Sequence, residues 1–550
     1  MKASDLLVKC LENEGVKYVF GVPGEETEDL LFSLESSSIQ FIPTRHEQGA
    51  AFMANVWGRV TGKAGVCLST LGPGATNLIT GVADAYLDNA PLVAITAQAG
   101  MKRTYWESHQ YLNILNIFEP ITKWNSSVSK PEAIAEIVRH AFKYAEMEKP
   151  GSTHIEFSED LADEDVDCDV IPVVPTRRPA PDHKAIKSAI ELLKQAKRPI
   201  ILAGNGAIRR AASKQLTQFV ETHQIPVVHT FMGRGAVSDK NPCSLLSLGL
   251  GFRDYVMDAM DQADLVITVG YDITEYSPEK WNPGKNKTII DIDFTPSEIY
   301  THYQPAVEVV ADVAATLWQL NQALADNSCQ FEKMWHLPVR EKILSDIESY
   351  TLKDSDTFTI PGVLNIMRRI MKDDDLLISD VGSHKMWIAR NFPVYSPNRC
   401  IISNGLASMG IALPGAIAAA LAMPERRIIA CMGDGGFMMN SQELETAKRL
   451  GVGFVCLIFN DNDYGLISWK QKMKWGRSTG TKITNPNFKQ YAESFGIEGY
   501  SPKSISELEN IIKSALFNKK LCVVEVPVDI SVNIELIDKL KAHNKKMAIA

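Results

Sequence analysis

Residues 426–470 read RRIIACMGDGGFMMNSQELETAKRLGVGFVCLIFNDNDYGLISWK, and this stretch constrains the fold of the chain most tightly. The apolar run Ile428 to Met432 has the length of a buried strand and ends in Gly433-Asp434-Gly435-Gly436. Glu443 to Leu450 has a helical pattern, and a second apolar run, Phe454 to Phe459, ends in Asn460-Asp461-Asn462-Asp463. Strand, glycine-rich turn, helix, strand and acidic turn make one βαβ unit, so both turns are expected on one edge of a parallel sheet. Asp434 and Asp461 are therefore expected close together. Two carboxylates with a carbonyl oxygen suit a hard divalent cation, and Mg²⁺ usually keeps its other positions for water and phosphate oxygens. Glycines beside the first aspartate let backbone N–H groups approach an anion. A lone Gly-Asp-Gly is a common loop sequence, and the second acidic turn is what makes this one specific. The unit is expected to be a metal-bridged anchor for a diphosphate, with the anion where the helix begins.

The remaining chain repeats the strand-loop-helix pattern. Tyr18-Val19-Phe20 leads to Gly21-Val22-Pro23-Gly24, and Phe41 to Thr44 leads to Arg45-His46-Glu47-Gln48 and a small-residue helix, Gly49 to Arg59. Gly65 to Thr70 ends in Leu71-Gly72-Pro73-Gly74, and Pro91 to Ala97 follows. A second block has strands at Pro199 to Ala203, Pro226 to Thr230, Leu265 to Gly270 and Thr288 to Asp293. The third holds Asp375 to Ser379, the Gly-Asp-Gly unit and Leu521 to Val526. The expected fold class is α/β, with three doubly wound parallel-sheet domains. Expected boundaries are an N-terminal domain 1–165, a Pro-rich charged linker 166–188, a central domain 189–345, a C-terminal domain 346–535 and a tail 536–550.

With 57 basic and 66 acidic residues the chain is net negative, so no nucleic-acid partner is expected. The nine cysteines form no metal-ligand or disulfide pattern, and those in apolar runs are expected as buried thiols of a reducing compartment. The N-terminus carries charges throughout, and no run of eighteen apolar residues occurs, so no membrane span is expected and a cytoplasmic location is. Glu47, just past a strand and beside Gly49, Ala50 and Ala51, is a candidate for a partly desolvated carboxyl suited to proton work, or else for a helix cap.

The segments from Gly433-Asp434-Gly435-Gly436 to Asn460-Asp461 resemble the motif of thiamine diphosphate enzymes, and GDGGFMMNSQELETAKRL resembles the acetolactate synthase branch. The resemblance runs over essentially the whole chain. It implies a thiamine diphosphate-binding fold, thiamine diphosphate and Mg²⁺ as cofactors, 2-oxoacid substrates and the ligation of two pyruvate-derived units to 2-acetolactate. RHEQGAAFMA is similar to the motif whose glutamate, here Glu47, hydrogen-bonds the aminopyrimidine ring. Met409, in SNGLASMG, matches the aliphatic wedge that bends the cofactor. Asp434, Asp461 and Asp463 are the implied metal ligands. Implied cofactor contacts are Pro23, Gly24, Gly382, Ser383, His384, Gly405, Ala407, Gly433, Gly435, Gly436, Tyr464, Gly465 and Leu466. Gln110 and Lys470 are implied at the reacting centre. Because Glu47 and Asp434 belong to different sheets, the resemblance implies self-association, as a dimer or tetramer, with sites between subunits; it leaves a small regulatory subunit open.

Gly270-Tyr271-Asp272 and Glu275-Tyr276 resemble the catabolic branch, which works without FAD, and the Arg-rich FAD segment of the anabolic branch is missing. Two departures stand out: Glu25-Glu26 replaces Ala-Lys, and Lys470 replaces a glutamine or tryptophan that faces the acceptor. A lysine there can pair with a carboxylate, although a one-residue slip would put Trp469 in its place. No His-His pair of the pyruvate decarboxylase kind occurs, which favours a carboligase. Another 2-oxoacid decarboxylase or carboligase, or a non-catalytic paralogue, are the competing readings.

Overall fold

The computed structural model describes residues 1–209, 211–325 and 329–549. Three six-stranded sheets follow one another along the chain, and every strand pairing within them is parallel. The first contains β1 (Tyr18–Gly21), β2 (Gln40–Pro43), β3 (Gly65–Ser69), β4 (Leu92–Gln98), β5 (Trp124–Ser127) and β6 (Ser152–Ser158), in spatial order 2-1-3-4-6-5. The second contains β7 (Pro199–Ala203), β8 (Val227–His229), β9 (Ser244–Ser247), β10 (Leu265–Val269), β11 (Thr288–Asp293) and β12 (Val307–Val310), in order 12-11-10-7-8-9. The third contains β13 (Leu376–Ser379), β14 (Cys400–Ile402), β15 (Ile428–Gly433), β16 (Val455–Asn460), β17 (Glu498–Tyr500) and β18 (Cys522–Pro527), in order 14-13-15-16-18-17. Strands buried on both faces explain the unbroken apolar runs, and the fold is the three-sheet doubly wound α/β architecture that those runs predict.

The strand β6, Ser-Thr-His-Ile-Glu-Phe-Ser, is wholly buried although five of its seven residues are polar or charged. Its polar groups find partners on β4: Thr96 Oγ1 and His154 Nε2 lie 2.8 Å apart, and Gln98 Nε2 donates to Glu156 Oε2 at 2.9 Å. Such satisfied polar pairs hide a buried strand from hydrophobic patterning.

The first and third sheets share one apolar core. The helix Glu47–Thr61 lies against the helix Ala412–Ala422, and alanines and glycines on both allow a close approach. A Cβ on Gly415 would stand 2.7 Å from Val56 Cγ2. The last residues form a helix, Val532–Ile549, with Leu536, Ile537 and Leu540 buried and His543 Nε2 2.6 Å from Asp258 Oδ2 of the central domain. Seven of the nine cysteines are buried. Among the described residues no helix is long and apolar enough to cross a membrane.

Candidate active site

The carboxyl ends of β13, β15 and β16 form one edge of the third sheet. Register pairs Gly433 with Phe459 and Cys431 with Ser379, so Asp434, Asp461 and Asp380 emerge side by side. The glycine-rich segment is not the loop expected from the sequence. Strand β15 runs through Gly433 and a helix, Asp434–Asn440, starts at once. Its first-turn N–H groups lack intrahelical acceptors, so the positive end of the helix faces the cavity. Side chains at positions 435 and 436 would crowd the site, since a Cβ there would stand 2.9 Å from the Tyr464 ring and 3.0 Å from Asp380 Oδ1.

Asp434 is almost fully buried and Asp461 half-buried. Asp434 Oδ1 accepts the Gly435 N–H at 2.8 Å, and Oδ2 accepts the Asn462 N–H at 2.8 Å and Asn485 Nδ2 at 2.7 Å. Asp461 Oδ1 accepts the Asp463 N–H at 3.0 Å. Burial, and then the facing Asp434 charge, push the Asp461 carboxyl up to about 7, and burial also raises Asp434. Two carboxylates so placed repel each other until a cation lies between them. The Asp463 carboxylate is engaged by Lys482 at 3.2 Å, and Asp463 borders the same edge. Three or more His, Cys, Asp or Glu side chains do not converge on one point among the described residues. A site with two carboxylates and one carbonyl therefore leaves the other positions of a hard cation to water and a phosphate-bearing ligand.

A cavity of about 250 Å³ opens on this edge, walled by Val381, Gly382, Ser383, His384, Ala407, Met409, Gly433 to Gly436, Phe459, Asp461, Asp463 and Tyr464 to Ile467. The His384 ring stacks on Phe459, and burial pushes it down to about 3, so it is neutral. Its Nε2 is buried without a hydrogen-bond partner, an orphan that a phosphate-bearing ligand can satisfy. Glycine is required at 382, where a Cβ would stand 2.8 Å from that ring. The donor set, the glycine cradle and the orphaned imidazole fit a metal-bound diphosphate.

Met409 and Ala407 belong to a loop, 403–411, that reaches over the cavity, with Ala407 in the left-handed region at φ 58°. Asp380 anchors this loop from beneath, accepting the Gly410 N–H at 2.9 Å and the Ala412 N–H at 3.4 Å. Sequence reading passed over Asp380, Asn485 and Glu443. Asp380 sits at the end of β13, two residues before Gly382, and that strand-end position was a signal; Asn485 lies in a loop with none.

Glu47, Pro23, Gly24 and Gln110 do not line this cavity. They gather at the carboxyl edge of the first sheet. Glu47 opens the helix Glu47–Thr61, is 8% exposed, and accepts Asn77 Nδ2 at 2.9 Å from the neighbouring helix Pro73–Leu87. Gly24 packs on Thr70, whose hydroxyl donates to Glu26 at 2.5 Å, so one of the two unexpected glutamates is tied into this edge. Gln110 is exposed at φ 60°, and a Cβ on Gly72 would meet its carbonyl oxygen at 2.7 Å. One chain thus keeps Glu47 outside the cavity that Asp434 and Asp461 line. On the helix Gly465–Trp475, Leu466 and Ile467 line the cavity while Lys470 is exposed one turn on. Trp469 is buried, its ring 5.8 Å from Phe252, and neither Trp469 nor Lys470 lines this cavity.

The chain matches three family models in series: Thiamine pyrophosphate enzyme, N-terminal TPP binding domain, over 1–117; the central domain over 186–320; and the C-terminal TPP binding domain over 380–526. It is 34% identical to the acetolactate synthase of Bacillus subtilis over 552 residues, covering 98% of this chain and 95% of that protein. It is 36% identical to the catabolic acetolactate synthase of Raoultella terrigena, covering 98% and 97%. A probable acetolactate synthase large subunit of Methanocaldococcus jannaschii is 33% identical, with 96% and 92% covered.

Proposed function

The chain belongs to the thiamine diphosphate enzymes, within their acetolactate synthase group, and we propose from that premise how its residues carry the reaction. It decarboxylates pyruvate and joins the two-carbon unit to a second 2-oxoacid, giving 2-acetolactate. Thiamine diphosphate, when bound, supplies the electron sink for loss of CO₂ and the nucleophilic carbon for the ligation.

Asp434, Asp461 and the Asp463 carbonyl would hold Mg²⁺, which would fasten the diphosphate. Gly382, Ser383, His384, Gly433, Gly435, Gly436, Tyr464, Gly465 and Leu466 form its cradle, with the helix end at Asp434 adding positive potential. Met409 and Ala407, with Gly405 in the same loop, would pack on the bound cofactor and orient it. Glu47 holds a proton on the aminopyrimidine, with Asn77 fixing its carboxylate and Pro23 and Gly24 beside it. Gln110 and Lys470 border the second 2-oxoacid, and the Lys470 ammonium suits its carboxylate.

The observation that carries this reading is the paired Asp434 and Asp461 on adjacent strand ends, where a cation between them would relieve the repulsion that helps raise the Asp461 carboxyl. Because Glu47 lies outside the cavity of its own chain, the reading requires a second copy to bring its first-sheet edge over the diphosphate cradle, hence at least a dimer. FAD has no part in it. The N–H groups at the switch point of the second sheet, where a nucleotide phosphate would bind in this topology, are taken by the chain's own Glu275. Its carboxylate accepts the Asn205 N–H at 2.9 Å and the Thr230 hydroxyl.

The decisive experiment incubates the purified chain with pyruvate, thiamine diphosphate and Mg²⁺ and scores acetolactate against free acetaldehyde. Acetolactate as the main product, abolished by EDTA and restored by Mg²⁺, is expected. Acetaldehyde alone would make the chain a decarboxylase, and no product with no cofactor binding a non-catalytic paralogue.

A further inference from the structure

The two outer domains of one chain grip each other through buried carboxylates, and each grip ends on a segment that carries a group acting on the cofactor. From the C-terminal domain, Glu443 is fully buried and its Oε1 accepts the N–H groups of Arg45 at 3.0 Å and His46 at 3.2 Å. Those residues form the turn that delivers Glu47. Thr446 holds the other oxygen of Glu443 at 2.6 Å, and a Cβ on Gly49 would stand 2.8 Å from Oε1, so the carboxylate is fixed on both sides.

In the opposite direction, Asp84 and Asp88 lie one turn apart at the end of the helix Pro73–Leu87, and both are fully buried. Ser403 Oγ donates to Asp84 at 2.6 Å, and the Gly405 N–H donates to Asp88 at 2.6 Å. These contacts hold the loop that carries Met409. Arg59 neutralises Asp88 at 3.1 Å and donates to the Ile402 carbonyl at 2.8 Å. Lys385 approaches the same loop from the C-terminal domain, with Nζ 3.2 Å from the Ser403 carbonyl and 3.1 Å from Asn404 Oδ1. The central domain closes the junction, since Asn205 Nδ2 donates to the Asp88 carbonyl at 2.9 Å and Asn404 Nδ2 to the Glu275 carbonyl at 2.8 Å.

Apolar contacts would hold these domains together at lower cost, because every buried charge gives up its hydration. What carboxylates add is direction: an oxygen accepting a backbone N–H fixes a loop to within a few tenths of an ångström. We propose that this reciprocal clamp positions the catalytic groups, with Glu443 setting the turn that presents Glu47, and Asp84, Asp88 and Lys385 setting the loop that presents Met409. The role rests on the functional reading above. In the dimer the two segments of one chain serve different sites, so the two halves of the clamp can be tested separately.

The test compares Glu443→Gln and Lys385→Met with the parent, as full-length proteins. Without cofactor, hydrogen exchange should rise about tenfold in the 43–50 segment of E443Q with 403–410 unchanged, and the reverse in K385M. With cofactor, kcat should fall about 10- to 100-fold while the KM for pyruvate and the cofactor Kd stay within about threefold, because the cradle is untouched. Lys385→Arg should recover part of the kcat lost in K385M. Ser403→Ala, which removes the bond to Asp84 and the one that Oγ accepts from the Ser408 N–H at 3.2 Å but no charge, gives the same comparison if a charge variant does not fold. Unchanged local exchange or unchanged kcat in these variants overturns the clamp alone. A parent chain that binds no thiamine diphosphate overturns the functional reading and the roles given to Glu47 and Met409.

Discussion

At the scale of single residues, the site contains charges whose neighbours decide their work. Glu47 is held by Asn77 and shut away from water, so its effect falls on a proton and not on adhesion of the cofactor. Glu47→Gln is expected to keep the cofactor Kd within about threefold and to lose about 10²- to 10⁴-fold in kcat, measured by calorimetry and initial rates. Full activity in that variant removes Glu47 from the mechanism. Asn485 acts one step further out, bridging Asp434, Asn460 and Asn462 at 2.7 Å, 3.1 Å and 3.0 Å. Asn485→Ala frees Asp434 to rotate, and the Mg²⁺ concentration for half-maximal activity should rise about 10- to 100-fold with little change in rate at saturation.

At the scale of elements, the carboxyl edges of three parallel sheets are put to three uses. The third sheet's edge makes an anion cradle and the first sheet's edge presents Glu47, whereas the second is closed by its own Glu275. Burial pushes that carboxyl from 4.5 up to about 7. Between those values the folded state keeps a proton that the unfolded chain has lost, so stability falls as pH rises from about 4.5 to about 7 and levels off above. Glu275→Gln has no proton to lose. Relative to this variant, the parent should lose up to about 1.4 kcal/mol per pH unit across that window, seen as diverging thermal midpoints between pH 5 and pH 7. Parallel curves would show that Glu275 is already ionised throughout.

At the scale of the whole molecule, Glu47 lies outside the cavity that Asp434 lines in its own chain, so activity should belong to the assembly. Glu47→Gln and Asp434→Ala should each be inactive alone. Mixed by co-expression, they should regain roughly a quarter of the parent activity, since half the dimers are mixed and each has one intact site of two. No recovery would mean that both halves act within one chain. The apolar runs and the spacing of Gly433-Asp434 and Asn460-Asp461 were enough to specify three parallel sheets and to bring two carboxylates to one edge, because strand length, burial and right-handed crossovers are local or topological matters. Recognising Glu47, Met409 and His384 took whole motifs. The strand β6, the start of a helix at Asp434, and the grips of Glu443, Asp84, Asp88 and Lys385 were illegible, because each depends on partners hundreds of residues away or on polar pairs that cancel out in a pattern of hydrophobicity. Sequence alone determined which chemistry the chain carries; only the tertiary structure decided which segments hold it in place, since a buried charge takes its meaning from the groups that fold around it.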